Sequence, residues 1–173
     1  LHAILMASFV ALPLALVHEG GLPKEQHWWV YLTALLVGFF GMVPFIIYAE
    51  KKRRMKRVLT GAVATLLACE LFFLVFGHSL AMLVVGTVVF FTAFNLLEAS
   101  LPSLVSKVSP AGGKGTAMGV YSTSQFLGAA LGGLVVAALG VAATPWVGLA
   151  LVLAALACAL GASTLDGATQ ALP

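Results

Sequence analysis

Six apolar runs, each broken by a short polar or glycine-rich stretch, organise the chain. They cover about residues 1–16, 28–49, 58–76, 80–104, 116–139 and 145–163. The interruptions are "VHEGGLPKEQ", "KKRRMKR", the tight turn "GHS" and the loop "SKVSPAGGKG". Each run approaches the roughly 20 residues needed to cross a bilayer. Helices are expected, because an open sheet would leave backbone groups unpaired in lipid. The predicted fold class is an all-α membrane protein, with six transmembrane helices in one bundle over residues 1–164 and a polar, frayed tail over 165–173.

Polar residues inside the runs are the informative exceptions. The fourth run passes through "NLLEASLPSLVSKVSP", where Asn95 and Glu98 stand three residues apart and so share a helix face, as do Glu98 and Pro102. An ionisable group near mid-span costs roughly 3 kcal/mol on insertion scales. Neighbouring Leu, Val and Phe residues each return about 0.3–0.6 kcal/mol, so the span still inserts. Stability thus tolerates Glu98 without explaining it. Two readings stay open: a proton or substrate site facing a polar cavity, or a carboxylate bonded to a neighbouring helix terminus. In the fifth run, "MGVYSTSQFLGAALGG" places Tyr121 and Gln125 one turn apart as cavity-wall candidates. Gly128, Gly132 and Gly133 continue that stretch as helix-packing positions, the first two in a small-xxx-small pattern. Glu70 lies deep in the third run with little polar company in its own span.

Composition sharpens the class. The 173 residues are 61% hydrophobic and 9% charged, against about 25% charged in a soluble domain. Mean hydropathy is +1.08 and the isoelectric point about 9.1. The positive charge is clustered, with six of nine bases in residues 51–57. Lys107 and Lys114 fall in the loop two crossings later, on the same side, and only Lys24 lies opposite. That asymmetry predicts a cytoplasmic basic loop and an outer aromatic belt at Trp28, Trp29 and Trp146. It argues for a lipid bilayer rather than nucleic acid as the partner.

Other chemistry is sparse. Cys69 and Cys158 read as small buried residues, and the four histidines lack metal-ligand spacing. "AGGKGTA" fails as a phosphate loop, because position 108 is Val and Gly115 follows the lysine. There is no nucleophile–base pair and no cofactor fingerprint, so an enzyme is not expected. The opening "LHAILMASFVALPLAL" has neither an initiating Met nor a basic leader segment. It reads as a helix entered partway, and the chain is expected to be a fragment.

Taken together, "NLLEASLPSLVSKVSPAGGKGTAMGVYSTSQFLGAALGG" and the basic loop between the second and third runs resemble the C-terminal half of a major facilitator superfamily transporter. The likeness is to its YajR-like, drug-efflux-like branch. It implies a missing N-terminal six-helix half. It also implies that the first and fourth spans line a central cavity, the second and fifth meet the other half, and the third and sixth face lipid. On that basis Glu70 is peripheral. The basic loop resembles a degenerate copy of the family's G-x-x-x-D-[RK]-x-G-R-[RK] motif, with Glu50 at the acid and Lys51 and Arg54 at basic positions. These three are candidates for a conformational latch. Ile46 and Arg53 replace the two glycines, which puts the turn geometry in question.

The resemblance implies part of a proton-coupled efflux transporter, an antiporter of small molecules, in a bacterial inner membrane. It would work by alternating access, with the proton gradient as driving force and no cofactor. Two alternatives are a non-transporting membrane scaffold or assembly subunit and a homodimerising half-transporter.

Overall fold

The computed structural model describes residues 1–110, 112–140 and 144–169, with side chains through Cys158 and at Leu160 and Gly161. Among the described residues there are helices and turns but no strand. The helices are α1 (His2–His18), α2 (His27–Lys51), α3 (Met55–Phe76), α4 (Leu80–Val108), α5 (Lys114–Leu139) and α6 (Thr144–Thr169), with a single 3₁₀ turn at Lys24–Gln26. This is an all-α membrane architecture. Helices α2 to α5 are long and apolar enough to cross a bilayer, whereas α1 and the stretch Thr144–Cys158 of α6 are shorter apolar helices.

Local chemistry accounts for several boundaries. Ser79 caps α4, its side chain accepting from the Met82 N–H at 3.4 Å. This satisfies one of the backbone donors left open at a helix start. Pro13, Pro44 and Pro102 lie inside helices, which membrane helices tolerate where neighbours re-satisfy the freed backbone groups. α4 runs beyond the end of its apolar run and carries Lys107 in its last turn. α6 likewise continues to Thr169, taking in residues 165–169 of the polar stretch. The rest of the expected tail, residues 170–173, lies outside the described residues.

Short connections make successive helices antiparallel. The start of α1, the α2–α3 loop, the end of α4 and the start of α5 therefore share one end of the bundle, called here the basic-loop end. At the opposite end, His78 Nδ1 lies 3.4 Å from Glu19 Oε2 and ties the α3–α4 turn to the α1–α2 loop.

α4 is the centre, packing most extensively on α2 and α3, while α1 packs on α5 and α3 on α6. Its Phe90, Phe91, Phe94 and Leu97 form the main core with Leu59 and Leu66 of α3 and Ile4 and Leu5 of α1. In lipid there is little hydrophobic drive between helices, so close packing carries association. Glycines allow it. A Cβ on Gly38 of α2 would sit 3.1 Å from the α4 backbone at Phe91 and Thr92, and one on Gly41 would sit 3.1 Å from Thr92 Cγ2. A Cβ on Gly132 of α5 would collide with the backbone of Ala3 in α1.

Two sequence readings are corrected. Cys158 is exposed, not buried, while Cys69 is buried; both are free thiols. Glu70 is not peripheral: it is 4% exposed. The face of α3 that carries it turns to α6 rather than outward, and Gly148 of α6 makes room for the carboxylate.

Candidate functional site

Glu98 sits on α4 three residues from Asn95, at the basic-loop end. From α5, Gln125 Nε2 donates to Glu98 Oε1 at 2.9 Å and to the Tyr121 hydroxyl oxygen at 3.1 Å. The i,i+4 spacing of Tyr121 and Gln125 sets the second bond. The close α1–α5 approach at Gly132 and Gly128 holds α5 in register with the first turn of α1. That turn contributes His2, whose Nε2 lies 3.9 Å from Glu98 Oε1. The imidazole is held edge-on to Phe94, with ring centroids 5.9 Å apart. One carboxyl thus gathers polar side chains from three helices.

The arrangement is incomplete. Glu98 Oε2 is buried and has no hydrogen-bond partner. A neutral amide and a histidine 3.9 Å away do not satisfy a carboxylate as a paired base would. Such a group can take up a proton, or accept a donor from a ligand, without first breaking a strong ion pair. Asn95 and Glu98 also line a groove against α2, with Leu35, Leu36, Phe39 and Met42 on its other wall. The structure therefore brings Glu98, Gln125 and Tyr121 into contact and sets Asn95 beside them. His2 is the member that sequence spacing could not supply, because only the packing of α1 carries it to Glu98.

The latch candidates lie apart from this cluster. Glu50, Lys51 and Arg54 are exposed at the α2–α3 turn. Arg54 Nη1 donates to the Tyr48 hydroxyl at 3.4 Å, and among the described residues Glu50 forms no ion pair. Glu50 does border a notch with Arg53, Ser100, Ser103 and Lys107, facing the end of α4. Arg53 has φ +51°, the left-handed region. Its N–H bonds the Glu50 carbonyl at 3.2 Å, and the Arg54 N–H bonds the Ala49 carbonyl at 2.9 Å. The turn thus adopts a conformation that favours glycine, even though an arginine occupies it. Of the packing candidates, Gly128 and Gly132 face α1, while Gly133 has open space at the position of a side chain.

No protein-family model matches the chain. Over 133 residues, 77% of its length, it is 56% identical to the inner membrane transport protein YajR of Escherichia coli (strain K12). The chain is homologous to part of a YajR-like transporter. It is also 35% identical over 136 residues to an uncharacterized transporter of Buchnera aphidicola subsp. Baizongia pistaciae. Over 128 residues it is 34% identical to the uncharacterized transporter BU466 of Buchnera aphidicola subsp. Acyrthosiphon pisum. These matches span only 29%, 34% and 33% of those relatives, about a third of each.

Proposed function

We propose that the chain is the C-terminal six-helix part of a proton-coupled transporter that exports small molecules across a bacterial inner membrane. The YajR-like homology and the membrane-length helices support the transporter role. The Glu98–Gln125–Tyr121 cluster, drawn from α4 and α5 with His2 of α1 beside it, is the observation that carries the mechanism. A polar cluster costs free energy among apolar helices unless it faces water, a substrate or a partner. In alternating access, two bundles rock about a site between them. Glu98 would bind a proton in one state and release it in the other, its buried, unpaired oxygen becoming accessible as the bundles move. Asn95 and Tyr121 would form part of the cavity wall. The basic loop would lie in the cytoplasm, with Glu50, Lys51 and Arg54 fastening and freeing that end as the bundles rock. The driving force would be the proton gradient, without a cofactor.

The test is Glu98→Gln in the full-length transporter that contains these helices, reconstituted in liposomes with an imposed proton gradient. Proton-driven flux should fall at least tenfold while counterflow exchange survives. Unchanged flux with an unchanged pH profile would remove Glu98 from coupling.

A further inference from the structure

A second carboxyl lies in the other half of the bundle, outside the cluster described above. Glu70 of α3 is 4% exposed, and its Oε1 has no hydrogen-bond partner. Thr144, the first residue of α6, is 5% exposed, and its Oγ1 is also unpartnered. Two orphaned buried polar groups in one place need an explanation, such as an unseen water or ion. Both border a partly open cavity of about 120 Å³ lined by α1, α3, α4 and the start of α6. Most of its lining is apolar, including Leu5, Phe9, Leu12, Phe73 and Phe90, with the hydroxyls of Ser8 and Thr87 as further polar groups. The Thr87 hydroxyl already donates to the Leu83 carbonyl at 2.6 Å. The space and its polar partners suffice for ordered water.

The fold makes room for this carboxyl. A Cβ on Gly148 would stand 2.5 Å from Glu70 Oε2 and 2.7 Å from its Cδ, so a side chain there would displace the carboxyl from its present position. The carboxyl consequently lies against the early part of α6. A helix start carries partial positive charge and makes the anionic form accessible too. Among the described residues no cationic group lines the cavity, and Glu70 is the one carboxyl in its lining. Cys69 is the titratable neighbour on α3 itself. Among the described residues α1, α4 and α6 bring none to this wall: His2 and Glu98 stand toward the other end of their helices, and His18, in the last turn of α1 on the cavity's side, is not part of the lining.

We propose that the Glu70 carboxyl, with the Thr144 hydroxyl and cavity water, is a second proton-binding site, away from the basic-loop end. Binding transfers a proton from a hydronium ion to the carboxylate, leaving a neutral acid and a water molecule. Glu70 Oε1 and Thr144 Oγ1 do not bond each other, so cavity water bridges them; the hydroxyl can donate to or accept from that water and so serves both states. An unpaired charge in an apolar cavity is unfavourable, which selects the neutral acid while the cavity is closed. Movement at the start of α6 admits water and lets the proton leave. The site stands independently of any role for Glu98.

Infrared difference spectra of the full chain reconstituted in phospholipid test this. A pH step upward should bleach a neutral-carboxyl carbonyl band. Glu70→Gln should abolish that band and lower proton release by one per chain, whereas Glu98→Gln should leave it. Thr144→Val should keep the band but shift its frequency, because it removes the hydroxyl that holds the bridging water. A band that survives Glu70→Gln, one that ignores pH, or one that sodium ions bleach at constant pH overturns the proposal.

Discussion

Arg53 shows how much one backbone angle can explain. Its φ of +51° is the one left-handed value at a non-glycine residue among those described. The position coincides with the second glycine of the loop motif that the sequence resembles. Side chains other than glycine pay roughly 1–2 kcal/mol in this region. Arg53→Gly should therefore raise stability, by about 0.5–1 kcal/mol once glycine's greater unfolded-state freedom is deducted. Arg53→Lys should change it little. Thermal melting in detergent, followed by circular dichroism, distinguishes the two. Gln125 supports a second residue-scale prediction. Its amide is the hydrogen-bond donor to Glu98 at 2.9 Å. Gln125→Leu strands a partly buried carboxyl oxygen and should destabilise by about 1–3 kcal/mol. Glu98→Gln in the same background should recover part of that loss, which a double-mutant cycle measures. Helical spacing made the pairs Asn95/Glu98 and Tyr121/Gln125 legible from sequence. Their junction across α4 and α5, and the arrival of His2, depend on packing that no local spacing encodes.

Helices were the most legible level, because an apolar run in lipid has few other ways to satisfy its backbone. The ends were harder. α4 and α6 extend past their apolar runs into polar sequence, where hydropathy carries no signal but backbone hydrogen bonding continues. Which face meets which neighbour was harder still. Gly128 and Gly132 stood out by spacing, and so did Gly133, yet only the first two point at α1. Gly38 and Gly41, one turn apart in α2, allow a close approach to α4 without resembling the usual four-residue pattern. These contacts predict a hierarchy. Gly132→Ala drives a methyl into the Ala3 backbone and should cost about 1–3 kcal/mol, as overpacking does. Gly133→Ala meets open space and should stay within about 0.5 kcal/mol. Melting temperatures of the two variants in one detergent give the comparison. An equal loss in both would show that α5 does not use this face against α1.

At the scale of the whole molecule, the apolar surface is unevenly disposed around the polar cluster. α2 exposes Leu35, Leu36, Phe39 and Phe40, while α5 exposes Phe126, Leu127, Leu131 and Leu134. Between α2 and α4, Asn95 and Glu98 open into a shared groove. Large exposed apolar surfaces beside polar groups mark an interaction face. Lipid satisfies the apolar flanks but offers no partner to the unpaired Glu98 Oε2, whereas a second helical bundle over this face could satisfy both. The homologues are about three times longer than the matched portion of this chain, which is consistent with such a bundle. Single cysteines at Phe39 and Phe126 should then react with a lipid-soluble maleimide in the isolated chain. They should be protected severalfold in the full-length transporter. A cysteine at Val75 of α3, 61% exposed, should react alike in both. If the chain supplies one wall of the cavity, as proposed, it should alone give no proton-dependent flux in liposomes. Flux from the chain alone, with Phe39 and Phe126 protected, would instead mean that two copies close the cavity against each other.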